Sequence, residues 1–270
     1  MRIKTGFEII YDCPQPTPMV LMLSVHPSRR DDLESSDALR TDPPLDVHQY
    51  LDAYGNICSR ILAPAGRTTL SADFIIQDPG LIDVYAPDAV QHPIHELPDE
   101  VMIYLLGSRF CESEKLSQTA WSLFGHTAPG WARVQAVSDY VHKHITFNYA
   151  AARPSKTAYD AWVEATGVCR DYAHLAVAFC RGLNIPARYC TGYMGDIGVP
   201  VVGAMDFSAW FEVYLGERWY TFDARNNIPR MARVLIARGR DAVDVPIATT
   251  FGIANLSGFE VTSVEAPIAT

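Results

Sequence analysis

Cys169 follows Gly167 and Val168 and opens the run CRDYAHLAVAFCRG, in which Cys169, Tyr172, Ala176, Phe179 and Leu183 recur at helical spacing. Gly182, Asn184 and Pro186 end that pattern. The thiol therefore falls in the first turn of a helix. Unpaired N–H groups and the positive end of the helix dipole gather there and are expected to lower its pKa. A thiolate so placed can attack an amide carbonyl. A cysteine on an apolar helix face also packs well as a small hydrophobe, and Cys180 and Cys190 are read in that way. His174 is no partner for the thiol. It lies five residues on, about 140° around a helix that turns ~100° per residue, and pairing with Asp171 at the surface is the simpler expectation.

A second group of reactive side chains lies in DFSAWFEVYLGERWYTFDARNN, residues 206–227. Two alternating runs flank Gly216–Glu217, which reads as a β-hairpin. Ala209, Phe211, Val213, Leu215, Tyr220 and Phe222 form its apolar face. Ser208, Trp210, Glu212, Trp219, Thr221 and Asp223 form the other. A turn centred near residue 216 sets Ser208 opposite Asp223 or within two residues of it, both on one side.

These segments need a scaffold, and the chain is long enough to supply one. Of its 270 residues 49% are hydrophobic and 20% charged, the balance of a globular protein with a real core. The net charge of −9 disfavours a nucleic-acid partner. No apolar run reaches the ~18 residues of a membrane span, and MRIKTGFEIIYDCPQP lacks a signal peptide's apolar core, so the expected compartment is the cytoplasm. The six cysteines form no metal-ligand spacing and are read as reduced. Residues 1–104 read as an antiparallel β domain, with strands in IKTGFEIIY, MVLMLSVHP, YGNICSRILAP and TTLSADFIIQD. Residues 105–270 read as an α+β core ending in a strand. Within it the spacing predicts a helix from Trp131 and a short helix capped by Ser155 or Thr157. GYMGDIGVPVVGAMD, residues 192–206, reads as a loop bordering a cleft, and Arg238 and Arg240 are expected to pair with Asp241 or Asp244.

GVCRDYAHLAVAFCRGLNIPARYCTGYM followed by AWFEVYLGERWYTFDAR resembles the bacterial transglutaminase-like superfamily over roughly residues 105–245. The first hundred residues resemble that group's N-terminal β domain. The resemblance implies a papain-like core, with a cysteine at a helix N-terminus packed on an antiparallel sheet, and a Cys-His-Asp triad for acyl transfer from amides. Cys169 matches the nucleophile, Asp223 the third triad member, and Trp210 the tryptophan of the His-Ala-Trp phrase. Tyr172 and Trp210 are the candidates for substrate contact. Ser208 stands at the histidine position. Relatives that share Asp-Phe-Ser-Ala-Trp carry a histidine just past the aspartate, where this chain reads Arg225-Asn226-Asn227.

A hydroxyl cannot replace imidazole as base and then acid near neutral pH. Of the eight histidines, His142 and His144 lie at a helix end upstream of Cys169 and are the nearest alternatives. HPIHE at 92–96 has a proline inside its histidine pair and is read as a loop, with no metal, calcium or other cofactor expected. Two functions follow. One is cysteine-dependent acyl transfer on glutamine or peptide amides through a Cys169 thioester. The other is a degenerate site that binds a peptide or protein.

Overall fold

The computed structural model describes residues 1–201 and 205–267. The N-terminal part is built from β1 (Arg2–Cys13), β2 (Thr17–Leu21), β3 (Arg40–Asp42), β4 (His48–Leu51), β5 (Ile57–Ala63) and β6 (Gly66–Gln77). The four strand-forming runs expected from the sequence supply β1, β2, β5 and β6. Then follow α1 (Asp99–Met102), α2 (Ser113–Phe124), α3 (Trp131–His144), β7 (Thr146–Phe147), α4 (Ala158–Glu164), β8 (Thr166–Gly167) and α5 (Cys169–Gly182). The chain finishes with β9 (Ala187–Met194), β10 (Ser208–Leu215), β11 (Arg218–Phe222), β12 (Arg233–Gly239), β13 (Ala248–Thr250) and β14 (Asn255–Glu265).

The fold is α+β. Its strands form three four-stranded sheets, ordered β14-β1-β6-β3, β13-β2-β5-β4 and β11-β10-β9-β12, plus the two-stranded pair β7-β8. All pairings in the large sheets are antiparallel. The last two strands return to complete the N-terminal sheets, β14 beside β1 and β13 beside β2. The third sheet carries the helices. Phe211, Val213, Leu215, Tyr220 and Phe222 pack with α2–α5 in one core, the face that alternation predicts. Ala209, Tyr189, Tyr193 and Val234 join the core of the N-terminal sheets. Thr157 caps α4 by a reciprocal box. Its hydroxyl accepts the Asp160 N–H at 3.2 Å, and the Asp160 carboxylate accepts the Thr157 N–H at 3.1 Å. The expected loop over 192–206 is shorter than its glycines suggest. β9 continues through Met194, and residues 202–204 of that expectation lie outside the described residues. Arg240 pairs with Asp244 at 2.9 Å, whereas Arg238 donates to Ser28 and approaches Glu212.

The single apolar stripe expected for α5 is a correction. Every residue from Asp171 to Gly182 is buried, so α5 is a central helix rather than a half-solvated one. Arg181 and His174 find partners inside the protein, although His174 Nδ1 and Asp171 Oδ1 are buried without a hydrogen bond. Arg181 donates to the carbonyls of Ala187, Leu106 and Arg240. His174 does not pair with Asp171 at the surface. It is fully buried between Phe110 and Tyr189, and its Nε2 accepts the Ala242 N–H at 3.1 Å. Burial, with Arg170 and Arg181 nearby, holds its pKa well below the usual histidine value.

Because folded His174 resists protonation while the unfolded chain does not, its contribution is full above the unfolded pKa near 6.5 and is lost as pH falls below it. Stability should drop by about 1.4 kcal/mol per pH unit below that point on this account. Urea unfolding of the wild type and His174→Gln at pH 7, 6 and 5 checks this. An equal acid slope in both proteins would count against it.

Candidate active site

Two residues before the cysteine the chain needs glycine for a steric reason. A Cβ on Gly167 would lie 2.5 Å from Asp171 Oδ2 and 2.7 Å from its Cβ. Asp171 folds back over that gap and accepts the Val168 N–H at 2.9 Å, closing the first turn of α5. Cys169 is thereby set at the helix start, half-buried, with the N–H groups of Ala209 and Arg170 toward its sulfur.

The thiol sits in a polar cleft of about 80 Å³ whose lining includes Ser208, Asp206, Arg225, Asn226, Arg230 and Phe147. The expected activation by the helix terminus is overturned. Burial first, and then the Asp206 carboxylate, push the Cys169 pKa up to about 11, while the Ala209 N–H, Arg225 and the Arg170 N–H pull it down by less. Asp206 itself is pushed up by burial, and only the Phe207 N–H opposes this.

The hairpin turns at Gly216 and Glu217, both at positive φ, and pairs Phe211 with Phe222. That pairing ends at Phe222, so Asp223 opens a turn past the end of β11, while Ser208 at the start of β10 pairs with Gly192 of β9. Asp223 is buried and lines a neighbouring cavity instead of the Cys169 cleft. Its carboxylate accepts from the Asn226 backbone N–H at 3.0 Å, from Asn226 Nδ2 at 2.8 Å and from Arg233 at 3.1 Å. Asn226 is thus the side chain between the carboxylate and the cleft.

Trp210 is 2% exposed and packs with Cys190 and Leu235, its ring 2.9 Å from where a Cβ on Gly192 would stand. It lines a different cleft, alongside Glu212 and Arg233. The Tyr172 hydroxyl is committed to the Ile145 carbonyl at 2.6 Å in the helical core.

None of the eight histidines lines the Cys169 cleft. His142 Nδ1 lies 3.1 and 3.0 Å from the carbonyls of Ala224 and Arg225, behind the turn that carries Asn226. His144 Nε2 lies 2.7 Å from the Trp162 carbonyl, and His92 accepts the Glu217 N–H. Asp206 and Arg225 are the cleft residues that motif reading passed over. Arg225 lies in the turn past the end of β11, where alternation no longer applies. Asp206 sits just before β10, where alternation says nothing.

Residues 118–224 match the transglutaminase-like superfamily core, and the chain carries a domain of that superfamily. A solved structure from Cytophaga hutchinsonii, provisionally described as a cysteine protease, superposes with a TM-score of 0.84 at 28% identity, covering 100% of this chain and 92% of its own. Uncharacterised protein ML0607 of Mycobacterium leprae is 23% identical over 77% of this chain and 76% of its own length. Uncharacterised protein Rv2569c of Mycobacterium tuberculosis is 24% identical over 77% and 73%.

The contact between Gly167 and Asp171 gives a structural test. Gly167→Ala should destabilise the protein by about 1–3 kcal/mol, since the new methyl meets a carboxyl with no room to retreat. Thermal unfolding measures it, and an unchanged midpoint would refute the steric account.

Proposed function

We propose that this transglutaminase-like protein uses the Cys169 cleft to bind a peptide or protein ligand and does not turn it over by the triad route. One observation carries the reading: the side chain that Asp223 holds toward the cleft is Asn226. A carboxamide can hold a hydrogen bond to Asp223 but cannot take the thiol proton and return it to a leaving amine. The high pKa of Cys169 supports the same conclusion, because a thiol held near 11 is almost wholly protonated at neutral pH. Ser208 lines the same cleft and supplies no better base.

A second reading keeps acyl transfer, and Asp206 favours it. Its carboxyl is half-buried, lies beside the thiol and has a raised pKa, as an acid–base group requires. On that route the carboxylate accepts the Sγ–H proton as sulfur adds to the amide carbonyl. The resulting acid then protonates the departing amine, and water cleaves the thioester.

Iodoacetamide labelling of Cys169 against pH should give a midpoint near 11, above the free-thiol range. Asn226→His should lower that midpoint and raise hydrolysis of a glutamine or peptide amide by about 10²-fold over wild type. Ser208→His, which replaces a side chain that makes no hydrogen bond to Asp223, should gain less. Wild-type hydrolysis that disappears in Cys169→Ala would refute the binding reading. Its further loss in Asp206→Asn would establish the carboxylate route.

A further inference from the structure

Arg225 brings a charge to the Cys169 cleft that no described residue matches. The neighbouring guanidiniums are engaged. Arg230 donates to the Gly195 carbonyl and to Asp196, and Arg233 holds Asp83 and Asp223. Arg225 makes no side-chain hydrogen bond or ion pair with any described residue, and its Nε is shut off from solvent without an acceptor. Leaving a buried donor unsatisfied is costly, so the arrangement is held by something other than its own hydrogen bonds.

What holds it is Phe147. The guanidinium carbon lies 3.8 Å from the centre of that ring. The contact seats the guanidinium on the ring and leaves Nη1 and Nη2 without a partner among the described residues, the two donors that can meet a planar carboxylate in a bidentate pair. Arg225 is also close enough to Cys169 to draw its pKa down. The cleft's acidic groups do not occupy it. Asp196 faces Arg230, and no guanidinium contributes to the pKa shift of Asp206.

We propose that the Cys169 cleft selects ligands bearing a carboxylate, which Arg225 binds edge-on while the adjoining part of the ligand faces the thiol. The inference rests on the cleft being a ligand site and holds whether or not the ligand is turned over. The carboxylate belongs either to an acidic side chain or to a chain terminus.

The test compares two alkylating reagents at Cys169. Both form an S–C bond and expel iodide, but iodoacetate carries a carboxylate where iodoacetamide carries a neutral amide. Taking the ratio of their rates at one pH cancels the thiolate fraction, and peptide mapping confines the reading to Cys169. The ratio should exceed that of glutathione by about tenfold, the effect of one charge-assisted hydrogen bond. It should fall with added salt, return to the glutathione value in Arg225→Gln and survive in part in Arg225→Lys. A wild-type ratio equal to that of glutathione overturns the proposal, and needs no variant to fold.

Protection from iodoacetamide identifies the source. N-acetylated, C-amidated glutamate offers only a side-chain carboxylate, and N-acetylalanine only a terminal one. Protection by one of them assigns the class. Protection by neither, or equally by N-acetylalanine amide, overturns the proposal. Amide hydrolysis with the ratio preserved would refute the non-catalytic reading and leave this one standing. An inert protein with an unselective thiol would refute this one alone.

Discussion

Arg233 is the side chain on which the arrangement around the cleft depends. It is 9% exposed, and it binds Asp83 and Asp223, each at 3.1 Å. A charge so far from water is tolerable only when paired, and removing one member of such a cluster typically costs about 3–5 kcal/mol. The pairing draws together the segment that leaves the N-terminal sheets, the end of β11 and the start of β12. Asp223 is immobilised by it and immobilises Asn226 in turn. The wall facing Cys169 is therefore a chain of buried polar contacts that begins outside the cleft.

The thiol illustrates how competing terms of familiar size settle a site. The N-terminus of α5 does present N–H groups to Cys169, as helix geometry requires. That contribution is outweighed by loss of water and by the Asp206 carboxylate. In a complete triad an imidazolium stabilises the thiolate. Here the cation near the sulfur is Arg225, which can lower the thiol pKa but carries donors only and has no lone pair to accept the thiol proton.

Much of this was legible in the sequence because it is local. The hairpin, its faces, the cap on α4 and the cysteine at a helix start follow from alternation, turn residues and helical spacing. His174 was misplaced because periodicity assumes a solvated face, and α5 has none. The change came from a tertiary fact: the helical layer on one side and the third sheet on the other enclose it completely. Asn226 could be located as the residue past the aspartate, but its hydrogen bonds to Asp223 could not. They require the turn after β11, whose geometry depends on Asp223 accepting the Asn226 N–H. Arg225 and Asp206 were invisible for a related reason. Neither belongs to a spacing pattern, and their importance comes from what surrounds them.

The return of β14 to the first sheet bears on how the chain is made. Ile3 pairs with Glu265 and Asp12 with Asn255, so one edge of β1 meets its partner only after almost the whole described chain has been synthesised. β6 covers the other edge much earlier. Until β14 arrives, a twelve-residue strand offers a row of unpaired N–H and C=O groups. Closing so long a loop is entropically slow, and an open edge of that length invites pairing with another nascent chain. The hazard during biogenesis is thus set by topology alone, independently of the chemistry at Cys169.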